Sequence, residues 1–293
     1  MFLLEYAVLA GILYGLYFSL IGIGLNLTFG VLKIVNLAHG DFLMLGGFLA
    51  YFLYSALGLS PLWAVPINLV LFVALGGLLY ALLIPRLRQS RDPEMASFIL
   101  FFGLSQAIEA LAILAFGNNQ RSLPAAAIGP GTISLFGQVF PLSWAAAGAA
   151  GLLSVLLLYL YLYHTRLGQA TRAVMASREE AVASGLSVGR ISALAFGIGL
   201  ALAAIAGVFA PYLLGGISPN MGVAVTTTSF TVIVIGALGN PVGTVVGGLI
   251  YGLALMLMET YASSWATLLP YLLLVITLLI WPSGLLGRRL RSA

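Results

Sequence analysis

The sequence predicts an all-α fold, a polytopic membrane bundle of about eight or nine helices with half-helices among them. Three observations lead there. Of 293 residues, 61% are apolar and 7% charged, whereas a soluble domain carries roughly 25% charged residues. The charges are spaced to leave uncharged stretches at 6–32, 42–85, 122–163, 191–258 and 260–287. A spanning helix needs roughly 20 apolar residues, so the longer stretches each hold two or more crossings. The short alternating segments of a membrane β-barrel do not occur.

In chain order, "MFLLEYAVLAGILYGLYFSLIGIGL" has no basic leader and too long an apolar run for a cleaved signal, and reads as a first helix near 6–28. Spans near 41–58 and 61–84 follow, then 95–117 and 141–163, joined by the Pro/Gly-rich "GNNQRSLPAAAIGPGTISLFGQVFP". Turn chemistry at "GGISPNMG" and "ALGNPVG" divides the last part into spans near 191–213, 224–238, 243–260 and 264–283. The stretch 224–238 is too short for a full crossing at 1.5 Å per residue, which makes it a half-helix or part of a re-entrant hairpin. The whole of 1–293 is expected to form a single transmembrane domain.

Ten of the eleven arginines fall in three groups, 86/88/91, 166/172/178/190 and 288/289/291, with Arg121 apart. Lys/Arg-rich loops stay in the cytoplasm. All three groups inside, with an odd number of spans before the first, put the N-terminus outside and the C-terminus on the cytoplasmic side. The net charge of +4 sits in these interhelical groups, so nucleic acid is not expected as a partner.

Catalytic chemistry is not expected. There are no cysteines, two histidines and one lysine, Lys33. No phosphate-binding loop, Ser/His/Asp set or metal-ligand spacing appears, so no catalytic residue, cofactor or metal is expected. Moving a substrate is the expected task, with lipid as an obligate neighbour. An ion-coupled secondary transporter, or a passive channel for a small polar solute such as urea, stays open on the residues alone.

The informative polar residues form three sets. "VNLAHGDF" places Asn36, His39 and Asp41 at the start of the second helix, where Asp41 suits a polar cap with Lys33 as a nearby counter-ion. The same helix break could line the inner part of a pathway, since irregular backbone at membrane depth occurs where it is buried or lines a cavity. Thr226, Thr227, Thr228, Ser229 and Asn240 surround the short helix and suit a zwitterion that must be released; bonding to helix carbonyls is at least as good a reading of each. "NLAHGDFLMLGGFLAY" and "NPVGTVVGGLIY" share Asn, Gly, Gly-Gly and Tyr, as broken helices in corresponding halves of a transporter would. Among the acids, Glu109 sits at mid-helix and is expected to face protein with Gln106, and Glu259 near an outer helix end. The third set is "RLGQATRAVMASREEAVASGLSVGR", 166–190, read as a short helix closed by Gly185 with an exposed apolar face of Ala173, Val174, Ala181 and Val182. Such a face on a connector suggests docking to a partner.

The segment "RLGQATRAVMASREEAVASGLSVGRISALAFGIGLALAAIAGV", with "NLAHGDFLMLGGF", "GALGNPVGTVVGGLIYG" and "WPSGLLGRR" in order, resembles ABC-importer permeases of the branched-chain amino acid (LivH) type. The resemblance runs from about residue 10 to 289. It implies a second permease subunit, two cytoplasmic ATPase subunits, a periplasmic substrate-binding protein, and alternating access driven by ATP. It also implies that 166–190 presses into the ATPase. The family's E-A-A-x-x-x-G-type motif falls on Glu179, Glu180, Ala181 and Gly185, with Glu in place of the second motif residue and without the proline of the wider pattern; Arg172 and Arg178 are the accompanying cations.

Overall fold

The computed structural model describes residues 2–287; the third basic group, Arg288, Arg289 and Arg291, lies outside them. The described chain is helical apart from its connectors and one short hairpin. Helices α1 (Phe2–Leu32), α2 (His39–Leu57), α3 (Ala64–Leu87) and α4 (Pro93–Phe116) come first. A two-stranded antiparallel hairpin follows, β1 (Thr132–Leu135) and β2 (Gln138–Pro141), with Leu135 opposite Gln138. Then come α5 (Leu142–His164), α6 (Arg166–Ala176), α7 (Arg178–Ala183), α8 (Val188–Leu213), α9 (Gly222–Gly236), α10 (Pro241–Tyr261) and α11 (Leu269–Ile280). Single 3-10 turns lead into α3 (Pro61–Trp63), α9 (Pro219–Met221) and α11 (Ser263–Leu268). Among the described residues nine helices, three counted with these turns, are long and apolar enough to cross a membrane, matching the spans read from the sequence to within a few residues at each end. The expected short helix is α9, 15 residues long.

Helices α1 and α8 form the centre. Their residues are largely buried by protein, while α3, α4, α5 and α11 turn most of their surface outward to lipid. In lipid no hydrophobic force drives helix against helix, so small residues and backbone contact supply the packing. Helix α2 crosses α8 at Gly46 and Gly207. A Cβ on Gly46 would run into the Ala204 backbone, and one on Gly207 into the Leu43 carbonyl. Asn68 of α3 caps this crossing, its Nδ2 donating to the Gly46 carbonyl at 3.3 Å and the Ala204 carbonyl at 3.0 Å.

The isolated Arg121 has a structural task at the hairpin end of the bundle. Its backbone exchanges two hydrogen bonds with Ile217, at 2.7 and 2.8 Å. Its guanidinium donates to the Phe116 carbonyl at the end of α4 (3.2 Å) and lies over the Tyr51 ring at 5.8 Å. The C-terminal segment also has a task. Leu285 and Leu286 donate backbone N–H groups to the Ile235 and Gly236 carbonyls, at 2.9 and 3.1 Å, and so satisfy carbonyls that the end of α9 leaves free.

Candidate functional site

The sequence-predicted residues fall into three places. The first is the start of α2. After Leu32 the chain turns at Lys33, which adopts a left-handed φ of +56°, and runs without helix to Asn36. The His39 ring bonds through Nε2 to the Ile21 carbonyl at 3.0 Å. Ile21 precedes the end of α1 by eleven residues, ~16 Å at 1.5 Å per residue. Helix α2 therefore begins inside the bundle rather than at its surface. Asn36 shapes the entry, its Oδ1 accepting from the Ala38 N–H at 3.1 Å.

Two expectations for this entry do not hold. Ala38 occupies the cap position, and its own side chain makes no capping bond. Asp41 lies within the first turn, buried, with Oδ1 packed against Gly222 and Oδ2 without a partner. Lys33 is not its counter-ion: it lines a separate cavity of about 400 Å³ with Phe29, Val35, Glu94, Ser97 and Phe98. Burial holds the Lys33 amine below the ordinary lysine value.

The partner of α2 at this break is the start of α9. Thr226 Oγ1 accepts from the Gly40 N–H at 2.8 Å and donates to the Leu37 carbonyl at 3.0 Å. A Cβ on Gly40 would collide with the Gly222 carbonyl. Two helix N-termini, each with the partial positive charge of its dipole, thus meet inside the bundle with the Asp41 carboxyl between them. The orphaned buried atoms in this neighbourhood are Asn36 Nδ2, His39 Nδ1, Asp41 Oδ2 and Ser105 Oγ. Ser105 shares a face of α4 with Glu109, one turn on. Glu109 is half-buried, but Gln106, expected beside it, is exposed.

The second place is the turn from α9 to α10. Asn240 caps α10, its Oδ1 accepting from Val242 and Gly243 at 3.1 and 3.2 Å, while its Nδ2 donates to the Leu286 carbonyl. This parallels Asn36 before α2, and in both helices a Gly-Gly pair follows and packs against another helix. Asn26 of α1 holds the turn from across the bundle. Its Nδ2 donates to the Asn240 carbonyl (2.9 Å), the Ala237 carbonyl (3.3 Å) and Thr244 Oγ1, and its Oδ1 accepts from the Gly239 N–H. The sequence reading missed Asn26; a lone Asn inside an apolar first helix is the signal that could have found it.

The remaining polar groups of α9 divide. Ser229 and Thr227 bond back to carbonyls one turn earlier, at Val225 (2.7 Å) and Val223 (2.9 Å). Thr228 lines an open cavity of about 260 Å³ with Phe18, Ile21, Gln120, Ser218 and Val225. Of the five groups singled out around the short helix, Thr228 and Asn240 line cavities.

The third place is 166–190. It is two helices, not one. Ser177 is extended at the end of α6, and its Oγ accepts from the Glu180 N–H at 3.3 Å to cap α7. A Ser/Thr oxygen bonding N3 is the favoured start of a helix, which explains the break. The apolar face is also split: Val174 and Ala181 are buried against the bundle, whereas Val182 and Ala173 face outward. Gly185 takes φ +77°, the left-handed conformation that favours glycine, and the Gly185 and Leu186 N–H groups close α7 on the Val182 and Ala181 carbonyls. Glu179 and Glu180 are exposed in its first turn. Arg172 stacks over the Tyr163 ring at 4.3 Å. Burial, then the nearby Arg88 guanidinium, hold Arg178 below the ordinary arginine value. Met175 points inward, its methyl over Gly30 of α1 and its side chain lining a cavity of about 330 Å³ with Gly239, Asn240 and Pro241. The connector thus faces the α9–α10 turn across a shared cavity.

Nine apolar spans among the described residues, two helix starts meeting inside the bundle, and an amphipathic connector facing one of the breaks across a cavity define a multi-pass helical membrane protein of the transporter class. The model of the branched-chain amino acid transport system permease component family matches residues 7–278, and the chain belongs to that family. It is similar to the high-affinity branched-chain amino acid transport system permease protein LivH of Escherichia coli strain K12, 29% identical over 290 residues, and of Salmonella typhimurium, 28% identical. Each alignment covers 95% of this chain and 94% of the relative. The permease protein BraD of Pseudomonas aeruginosa is 27% identical with the same coverage. No solved structure matches.

Proposed function

We propose that the chain is the permease subunit of an inner-membrane ABC importer and forms the pathway for branched-chain or related amino acids. Separate ATPase subunits drive it through 166–190, with a second permease subunit and a periplasmic binding protein completing the assembly. On this reading the whole chain works as one permease domain, with its N-terminus outside and its C-terminus cytoplasmic. The observation that carries the reading is the connector: Arg172, Arg178, Glu179, Glu180 and Gly185 are presented outward, and Met175 lines a cavity shared with the α9–α10 turn. Two neighbouring guanidiniums, Arg88 and Arg178, ask for an anionic partner surface, because like charges in contact repel.

In the mechanism, ATP closes the ATPases, and α6 and α7 move with them. Met175 pushes on the turn at Gly239–Pro241, and α9 shifts against α2 at the Thr226 hydroxyl. Asn36, His39, Asp41, Thr226, Thr228 and Asn240 then act as gate-positioning groups, with Thr227 and Ser229 fixing α9 from within.

The test is reconstitution of the purified chain in liposomes, with and without ATPase subunits, measuring leucine uptake with binding protein and ATP supplied. The variant Gly185→Val places a β-branched residue at φ +77° and should abolish uptake. Uptake by the chain alone, down or with an ion gradient, would overturn the importer reading in favour of a channel or secondary transporter.

A further inference from the structure

At the hairpin end of the bundle lies a cavity of about 670 Å³, walled by Tyr6, Tyr14, Trp144, Tyr212, Met256 and Glu259. Its residues come from the first half of α1, the start of α5, and the ends of α8 and α10, so it opens where four helix ends meet. Tyr14 and Trp144 meet edge to face with centroids 4.9 Å apart, and the Trp144 indole N–H donates to the Tyr212 carbonyl at 3.2 Å. The rings are therefore fixed rather than free to rotate. The Tyr212 hydroxyl is buried and has no partner. Among the described residues lining the cavity, Glu259 carries the one charge.

Tyr and Trp near membrane surfaces ordinarily form a lipid-facing belt. This arrangement differs, because Tyr14 is buried and the others converge on one concavity. Aromatic faces attract cations through the ring quadrupole, and a carboxylate at the rim supplies the counter-charge. A primary ammonium adds what the rings cannot use, N–H donors for the Glu259 carboxylate.

We propose that this cavity is a binding site for a primary ammonium group, borne by an amino acid arriving at the outer end of the bundle or by an ethanolamine lipid headgroup. Neither the gate residues nor the connector contributes to it, and it is read without ATPase or ATP, so it stands or fails apart from the importer reading.

The test uses the full chain in phosphatidylglycerol nanodiscs, which carry no amine, with methylammonium titrated against tryptophan fluorescence. Saturable quenching is expected, weakened about tenfold by Glu259→Gln and removed by Trp144→Phe. Tetrahedral but N–H-free tetramethylammonium should bind more weakly than methylammonium. Competition by leucine would assign the group to an amino acid, and competition by added phosphatidylethanolamine would assign it to lipid. Equal binding by wild type and Glu259→Gln overturns the proposal, as does the absence of saturable methylammonium binding in a variant series that remains monodisperse.

Discussion

Replacing Asn26 by Leu tests the idea that one side chain in α1 holds the α9–α10 turn. The side chains are similar in size, so packing changes little and the loss is polar. Asn26 makes four contacts with the turn and α10, three as donor and one as acceptor. Intramembrane side-chain hydrogen bonds average about 0.6 kcal/mol in double-mutant cycles, so four amount to ~2 kcal/mol. The losses are unequal. The Ala237 carbonyl still accepts from the Asn240 N–H, and the Asn240 carbonyl still accepts from the Thr244 N–H at 3.1 Å. The Gly239 N–H is left with nothing, and an orphaned buried donor costs about 1–3 kcal/mol. Both routes converge on about 2 kcal/mol. Equilibrium unfolding of the purified chain in mixed micelles, denatured with SDS, measures this directly. A double-mutant cycle with Thr244→Val should return a coupling near 0.6 kcal/mol for that one bond. If Asn26→Leu unfolds within 0.5 kcal/mol of wild type, the turn is held by its own backbone and the account of Asn26 is wrong.

Three further outcomes follow from the same packing. Gly46→Val drives its side chain into the Ala204 backbone, which cannot yield as a side-chain tip would, so the variant should fail to give a monodisperse peak on size-exclusion chromatography. Ala237 sits at φ +135°, ψ +133°, a region populated by glycine and costing an L-residue about 1–3 kcal/mol; Ala237→Gly should raise the unfolding free energy by about 1 kcal/mol, and a loss of stability would refute the strain. Met175→Ala should widen the cavity between α6 and the turn, leaving ATPase stimulation while leucine uptake falls severalfold; an equal fall in both would show that Met175 serves folding and not transmission.

Much of the topology is legible in the sequence because charge and length are local properties. Arg86, Arg88 and Arg91 mark one end of α3 and α4 whatever those helices touch, and "GGISPNMG" breaks the chain for local reasons. The shortness of α9 was legible for the same reason, since turn signals on both sides leave 15 residues of helix between them. What could not be read is depth and partnership. The His39–Ile21 bond joins residues on different helices, and nothing in "VNLAHGDF" tells that the helix starts inside the bundle. Thirty-five glycines look alike in sequence, yet Gly46 is tied to Ala204 across more than 150 positions. Asp41 was expected to cap because capping is the local option for Asp at a helix start; tertiary packing against Gly222 overrode it. The break at Ser177 was readable in principle, as Ser followed three residues later by Glu180 is a capping pattern, but an Ala-rich run on both sides concealed it.

The fastening of α9 follows from these contacts taken together. Its first turn is bound to α2 through the Thr226 hydroxyl, and its last carbonyls are bound by the Leu285 and Leu286 N–H groups. Thr231 adds a bond to the Pro270 carbonyl at the start of α11, at 3.1 Å. A short helix tied at its start, middle and end cannot flex internally; it moves as a unit or stays still. The contacts differ in what they allow. Backbone bonds to 285–286 carry the C-terminal segment along with α9, whereas the contact with α2 is a single hydroxyl beside the close approach of Gly40 and Gly222, with the Asp41 carboxyl packed against Gly222. Any displacement delivered at Gly239–Pro241 is therefore expected to appear at Thr226 and Gly40, at the junction where Asp41 lies between the two helix starts.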